Sequence, residues 1–390
     1  MKVVAITPLR YRPTAIGRFV LLLVPALLCM QSIHAAPPDP MLEYTPGSRL
    51  MLQAVAPGKM VDIGTHRLYL HCEGDGTPTI VVDTGLGSVS LEWLPIQQAL
   101  APHTRICLYD RAGYGYSDPG PIPRTSRYIV DELRTLLQRA DIEGPFILVG
   151  HSFGGYNMQL FARRFPDLTS AVVLIDSSHP DQYERFLAPP INVKTAPPNK
   201  PRLGVVNFSP PAIHPKLPRD LRKPVLTLMG KMKMRYAVAY EFYNFRKSAE
   251  EVQDYEAGFP AVPLLVLSRG KRVYPEGEQG DLMEVLWMDL QKELSLLNRY
   301  GSHIVAHGSD HFIHLDQPQL VIDSLSFLLE VLRFRRMNRN YPVDLIMALE
   351  PNRYDFFDAT WQSNRLYQDI MLGHIFPATA SSRMIPGIYP

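Results

Sequence analysis

The stretch Phe146–Gly155, FILVGHSFGG, decides how this chain is read. Phe146 to Val149 are four apolar residues in a row and read as a short buried strand. Gly150-His151-Ser152-Phe153-Gly154 then fits the pattern G-x-S-x-G, and Phe153–Phe165 has helical spacing that stops at Pro166. The pattern alone would arise by chance in about one chain of this length in eight, given ordinary Gly and Ser usage. Its position is the stronger signal. A strand directly before it and a helix directly after it put Ser152 on a sharp turn, with its hydroxyl presented at the strand end. Side chains two residues either side of such a turn would collide with the neighbouring strand and helix, which is what Gly150 and Gly154 avoid. The bland alternative is a glycine-rich strand-to-helix turn with no chemistry.

The same alternation extends outward in both directions. Met60–Cys72 alternates apolar and polar residues, as an opening hairpin does. Thr79–Asp83 (TIVVD), Thr104–Tyr109 (TRICLY), Ala171–Ile175 (AVVLI), Val262–Leu267 (VPLLVL) and His303–Ala306 read as further strands. Leu91–Leu100, Ser126–Ala140, Leu282–Leu297 and Leu320–Phe334 have helical spacing. Continuous apolar strands alternating with amphipathic helices predict an α/β fold, a mostly parallel central sheet with helices on both faces. Residues 60–177 and 261–336 form the two parts of that core. Between 178 and 260 the alternation fails: three Pro-Pro pairs break the first part, and Met234–Tyr255 is helix-like. This segment is expected to be a helical lid inserted over the sheet. Residues 37–59 read as a linker, and 337–390 as a C-terminal extension, partly helical around Val343–Leu349.

A serine hydroxyl is barely ionised at neutral pH, so it needs a base. On a sheet of this kind the order along the chain is Ser, acid, His, with the His just past the last strand. Gly308-Ser309-Asp310-His311 is the loop after His303–Ala306, which makes His311 the candidate and His307 and His314 its rivals. His151 adjoins Ser152, but adjacent residues on the turn point apart, so a packing or pocket role is expected for it. The acid must hold the other imidazole nitrogen and fix its tautomer. After VPLLVL the chain reads Ser268-Arg269-Gly270-Lys271-Arg272-Val273, with no acid at the expected place. Asp176 stands directly at the end of AVVLI and is the favoured acid. Glu276 and Asp281 are the later alternatives, and a turn residue is the bland reading of Asp176. Two backbone donors must face the developing oxyanion. Phe153 follows the nucleophile, and Leu86 lies in Thr84-Gly85-Leu86-Gly87-Ser88 after TIVVD, so these two are the expected donors. The glycines of that loop would also suit a plain turn.

On these residues the chain resembles a known family. TGLGS at 84–88, YDRAGYGYSD at 109–118, LVGHSFGG at 148–155, LIDSSHPDQ at 174–182 and SDHFIHLDQP at 309–318 are similar to the serine-nucleophile branch of the α/β-hydrolase superfamily. The likeness runs from about Gly64 to Pro180 and from Pro263 to Pro318. It looks like bacterial-type esterases and prolyl-aminopeptidase relatives. The resemblance implies the hydrolase fold, the Ser152/His311 pair, and a role for Asp110 and Arg111 in holding a loop beside the turn. It departs from the family after VPLLVL, where the usual Gly-x-x-Asp is missing. Serine at the turn, where dehalogenases and epoxide hydrolases carry aspartate, argues against those activities.

Composition narrows the function classes further. The 390 residues carry 40 Lys+Arg against 38 Asp+Glu, a net charge of +2, with no basic stripe suited to nucleic acid. No Cys/His spacing resembles a zinc site, and no metal or organic cofactor is expected. Cys72 and Cys107 sit in strand-like contexts and are expected to be two unpaired buried residues. In residues 1–36, Lys2, Arg10, Arg12 and Arg18 precede the apolar run Phe19–Met30, and Ala35-Ala36 follow. That order describes a secretory signal. An uncleaved membrane anchor is the alternative. Cys29 follows Leu28, which argues against a lipoprotein anchor. Export, or anchoring by the N-terminal segment, is therefore expected.

Three functions compete at this stage. The first is a serine hydrolase cleaving an ester, or less readily an amide, of a small or apolar acyl substrate. The second is a non-catalytic ligand-binding protein on the same fold, and the third an acyltransferase using the same residues. An intact Ser/His/oxyanion set weighs against the second; nothing in the sequence separates the third from the first.

Overall fold

The computed structural model describes residues 58–187, 213–256 and 258–337. The expected signal segment, the Pro-rich start of the insertion and the C-terminal extension lie outside the described residues. No helix among the described residues is long and apolar enough to cross a membrane.

Among the described residues, eight strands form one sheet. They are β1 (Lys59–Asp62), β2 (Arg67–Glu73), β3 (Thr79–Asp83), β4 (Ile106–Tyr109), β5 (Phe146–His151), β6 (Thr169–Ile175), β7 (Leu264–Arg269) and β8 (Gly301–Ala306), in the order β1-β2-β4-β3-β5-β6-β7-β8. The β1/β2 hairpin is antiparallel and joins β4 antiparallel; every other pairing is parallel. β3, β5 and β7 are buried at every residue, because helices cover both faces. The helices are α1 (Leu94–Leu100), α2 (Ser126–Arg139), α3 (Phe153–Arg164), α4 (Gln182–Leu187), α5 (Arg219–Met229), α6 (Met232–Tyr243), α7 (Phe245–Gln253), α8 (Glu278–Ser295), α9 (Ile313–Asp316) and α10 (Pro318–Met337). Val81, Leu148, Val172 and Val266 of the sheet pack with Val130, Leu133 and Leu137 of α2 and with Leu160 and Phe161 of α3 in one core. Both α2 and α3 also pack against α7, while α1 packs against α10.

Three expectations need correction. Cys72 and Cys107 are joined in a disulfide. The antiparallel insertion of β2 beside β4 sets the two residues opposite each other, with Cα atoms 4.0 Å apart, a neighbourhood that strand-like sequence alone does not reveal. The strand read as Val262–Leu267 runs on to Arg269, because Ser268 and Arg269 pair with Val305 and Ala306 of β8. Their polarity suggests a loop. Finally, the stretch read as helix-like, Met234–Tyr255, is two helices, α6 and α7, and α5 precedes them. Pro224 lies inside α5, which hides that helix in the sequence, and Asn244 separates α6 from α7 with its amide nitrogen donating to the Tyr240 carbonyl at 2.7 Å.

Candidate active site

Ser152 sits between β5 and α3 at φ 52°, ψ −121°. A non-glycine residue with positive φ costs on the order of 1–3 kcal/mol, so the surroundings must impose it. They do so through hydrogen bonds. Ser152 N–H donates to the Ile175 carbonyl at 3.1 Å, and its own carbonyl accepts from Ser178 N–H at 3.0 Å and Gly155 N–H at 2.9 Å. Close approach explains the two flanking glycines: a Cβ at Gly150 would lie 2.7 Å from the Gly154 carbonyl oxygen, and one at Gly154 would strike the Asp83 carbonyl.

Asp176 follows β6 and is fully buried, also at positive φ (40°). Both of its oxygens are doubly engaged. Oδ2 lies 2.6 Å from His311 Nδ1 and accepts from Arg269 Nη1 at 3.3 Å. Oδ1 accepts from Arg269 N–H at 3.0 Å and from Trp287 Nε1 at 2.8 Å. Burial pushes the Asp176 carboxyl up, but the Arg269 guanidinium, the bonds with His311 and the Arg269 amide outweigh it and hold it well below the usual carboxylate range. An ionised carboxylate at His311 Nδ1 fixes the proton on that nitrogen, which leaves Nε2 with a lone pair to act as base. The structure thus brings Asp176 to His311. The later acids stand elsewhere: Glu276 is exposed, and Asp281 is exposed and pairs with Arg272.

The His311 loop is fastened from several sides. Asp316 Oδ2 accepts from Asp310 N–H at 3.0 Å, Gln317 Oε1 accepts from Gly308 N–H at 2.9 Å, and the Ser309 carbonyl accepts from Lys271 N–H at 2.9 Å. His151 Nε2 donates to the His311 carbonyl at 2.9 Å. Burial lowers His151 to about 3, so it stays neutral and acts as a fixed wall and clasp. Of the rivals, His307 is exposed, and His314 is buried and stacked on Trp93 with ring centroids 4.4 Å apart. One pocket is lined by Ser152, His311, Leu86 and His151 together with Phe245, Tyr274, Trp287 and Phe312. Phe153 is fully buried as the first residue of α3, where a helix amide has no acceptor within its own helix.

Sequence reasoning misses Arg269 and Trp287. Trp287 reads as helix core, and only the fold places its N–H over Asp176. Arg269 is visible as a cation where an acid is expected, and that is the available signal. Among the described residues, two trios could offer metal-ligand atoms, His179–Asp181–Glu293 and His214–Asp310–Asp316. Each is already met by a base: Arg185 lies 2.7 Å from Glu293, and Lys216 lies 2.8 Å from Asp316.

Comparison with known proteins follows the same outline. A family model described as the alpha/beta hydrolase family matches residues 80–324. The chain is 28% identical over 251 residues to the uncharacterized protein YqjL of Bacillus subtilis, covering 64% of this chain and 83% of that protein. It is 38% identical over 136 residues to the probable transporter efuK of Hormonema carpetanum, covering 33% of this chain; it spans only 19% of that much longer protein. Among solved structures, a serine hydrolase of carbazole degradation, the CarC enzyme, superposes with a TM-score of 0.52 at 16% identity, covering 70% of this chain and 98% of the other. At that identity the likeness concerns the fold alone.

Proposed function

The chain belongs to the α/β-hydrolase family, and from that premise we propose that it is a serine hydrolase cleaving a carboxylic ester of a small or apolar acyl group. The observation that carries the reading is the 2.6 Å contact of His311 Nδ1 with a buried, ionised Asp176 beside a pocket lined by Ser152. In this reading His311 Nε2 takes the Ser152 hydroxyl proton as Oγ bonds to the substrate carbonyl carbon. The carbonyl oxygen becomes an oxyanion held by the Leu86 and Phe153 N–H groups. The C–O bond to the alcohol then breaks, and His311 returns its proton to the leaving oxygen. A water molecule, deprotonated by His311, attacks the acyl-Ser152 ester and releases the acid. Every step uses groups of this chain and water.

The aromatic wall of Phe245, Tyr274, Trp287 and Phe312 suits an apolar acyl group. Phe245 is the first residue of α7, and its place in that wall supports a lid role for the insertion. The Cys72–Cys107 disulfide supports maturation in an oxidising compartment and so the reading of residues 1–36 as an export signal. The test is a set of p-nitrophenyl esters of graded acyl length with purified protein, alongside labelling by a fluorophosphonate. Turnover with label on the wild type and neither on Ser152→Ala is the expected result. Labelled Ser152→Ala, or an unlabelled and inactive wild type, would overturn it.

A further inference from the structure

Glu241 lies on α6 in the insertion, outside the segments that resemble the hydrolase family, and it is fully buried. Its carboxylate meets two residues of the core loop after β4. Oε1 and Oε2 accept from Arg111 Nε at 3.1 Å and Nη2 at 3.0 Å, and Oε2 also accepts from the Tyr114 hydroxyl at 2.5 Å. Both partners reach on to the loop that carries Leu86. Arg111 Nη1 donates to the Thr84 carbonyl at 2.6 Å, Arg111 Nη2 donates to the Gly85 carbonyl at 3.0 Å, and Tyr114 Oη accepts from Gly87 N–H at 3.3 Å. The loop is therefore gripped on both sides of Leu86.

The grip on Gly85 matters most. The Gly85 carbonyl and the Leu86 N–H belong to one peptide unit, which is planar and trans, so they point in opposite directions. Holding the carbonyl against Arg111 aims the Leu86 N–H away from Arg111. The same guanidinium lies 4.3 Å from the Tyr114 ring and 5.5 Å from the ring of Phe153, the other expected donor residue. The approach of α6 is close enough to be specific: a Cβ at Gly113 would lie 2.6 Å from the Ala237 Cβ. A guanidinium buried with Asp83 at 2.6 Å on one side and Glu241 on the other has fixed geometry, because its planar fork is satisfied by both carboxylates at once.

We infer that Glu241 is a positioning residue: through Arg111 and Tyr114 it orients the Gly85–Leu86 peptide, so that the insertion supplies part of the oxyanion hole rather than only covering the pocket. This role rests on the serine-hydrolase reading of Ser152.

The experiment compares full-length wild type with Glu241→Gln, Glu241→Ala, Arg111→Lys and Tyr114→Phe. Glu251→Gln is the control. Glu251 is a second buried carboxylate of the insertion, on α7, where it accepts from Thr125 Oγ1 at 2.9 Å and Arg127 N–H at 2.7 Å, away from the Leu86 loop. Active sites are titrated with a fluorophosphonate, kcat and KM are measured with p-nitrophenyl acetate, and Ki with a phenylboronic acid, whose adduct with serine is tetrahedral. Losing one oxyanion donor outright costs about 10²–10³ in kcat. Glu241→Ala and Arg111→Lys should therefore lose about 10- to 100-fold in kcat per titrated site, with KM changed less than about twofold. Glu241→Gln and Tyr114→Phe should lose about 3- to 10-fold. Ki should rise by the factor that kcat/KM falls. Glu251→Gln should lower thermal stability and leave kcat per site unchanged. If Glu241→Gln and Tyr114→Phe keep wild-type kcat and Ki per site, or lose activity through KM alone, the positioning role is overturned while the serine-hydrolase reading stands. Turnover by Ser152→Ala would instead overturn that reading, and this role with it.

Discussion

Strands β6 and β7 lie side by side in parallel and both end near the pocket, yet their ends carry opposite charge. β6 runs into Asp176, and β7 ends in Arg269. The family resemblance leads one to expect an acid after β7. In this chain the carboxylate stands one strand over, and the strand that lacks it supplies its counter-ion, its backbone donor and, through α8, its tryptophan donor. The comparison teaches that a buried carboxylate can reach His311 from the end of β6 when the end of β7 supplies the charge that neutralises it.

The strongest attempt to break the comparison is Asp176→Asn. Replacing the triad acid of a serine protease by its amide costs about 10⁴-fold in rate, because the imidazole adopts the wrong tautomer. A fall in kcat of about that size is expected here, with Asp281→Asn and Glu276→Gln changing kcat less than about tenfold. Steady-state kinetics on one p-nitrophenyl ester decides it. The reverse result would move the acid to the later loop.

Removing the other end comes next. Arg269→Gln takes away the charge that faces Asp176 and also the contact with Glu284 at 3.1 Å. Breaking a buried ion pair from one side costs about 3–5 kcal/mol, so urea unfolding should show a loss of roughly that order. The Asp176 carboxyl is held down first of all by Arg269 against its burial, so the variant's acid stability should suffer at higher pH than the wild type's. The sign follows from linkage: a depressed carboxyl stabilises the fold above its unfolded pKa, and that contribution disappears as pH falls through the folded value. Trp287→Phe is gentler, since it removes one hydrogen bond to a charged group, worth about 1.5–3 kcal/mol. A roughly tenfold lower kcat with little change in KM would sharpen the comparison; unchanged kcat would confine Trp287 to packing.

The smallest effect is a slope. Between about pH 4.5 and 6.5 the Asp176 carboxyl does not titrate, whereas His151 and His314 are held neutral by burial, at about 3 for His151 and well below the ordinary value for His314. The unfolded chain binds these protons and the folded chain does not, so what these two histidines contribute to stability falls as pH drops below about 6.5. Each of these histidines contributes about 1.4 kcal/mol per pH unit. His314→Phe, which keeps the stacking on Trp93, should flatten the pH dependence of urea stability by that amount.

Much of this arrangement is legible in the residues alone. Apolar runs of strand length place the central strands, and the glycines around Ser152 announce the crowded turn. Asp176 is legible because it adjoins a strand. What cannot be read comes from contacts across long stretches of chain. The β2–β4 neighbourhood behind the Cys72–Cys107 disulfide needs sheet order. Glu241 lies among aromatics in a segment without strand periodicity, and its meeting with Arg111, 130 positions earlier, is a property of how α6 packs against the loop after β4. Ser268 and Arg269 resemble loop because polar residues in a buried strand are recognisable only by their partners.

One contact gives the protein an optical consequence. The Trp287 indole N–H is bonded to Asp176 at 2.8 Å, and its ring lies 6.4 Å from that of His311. Indole emission responds to the hydrogen bond at its nitrogen and is quenched by a nearby imidazolium. The sequence holds two other tryptophans, Trp93 and Trp361. With those two replaced by phenylalanine, the remaining emission would report on the Trp287–Asp176 hydrogen bond, and Asp176→Asn should change its wavelength and yield.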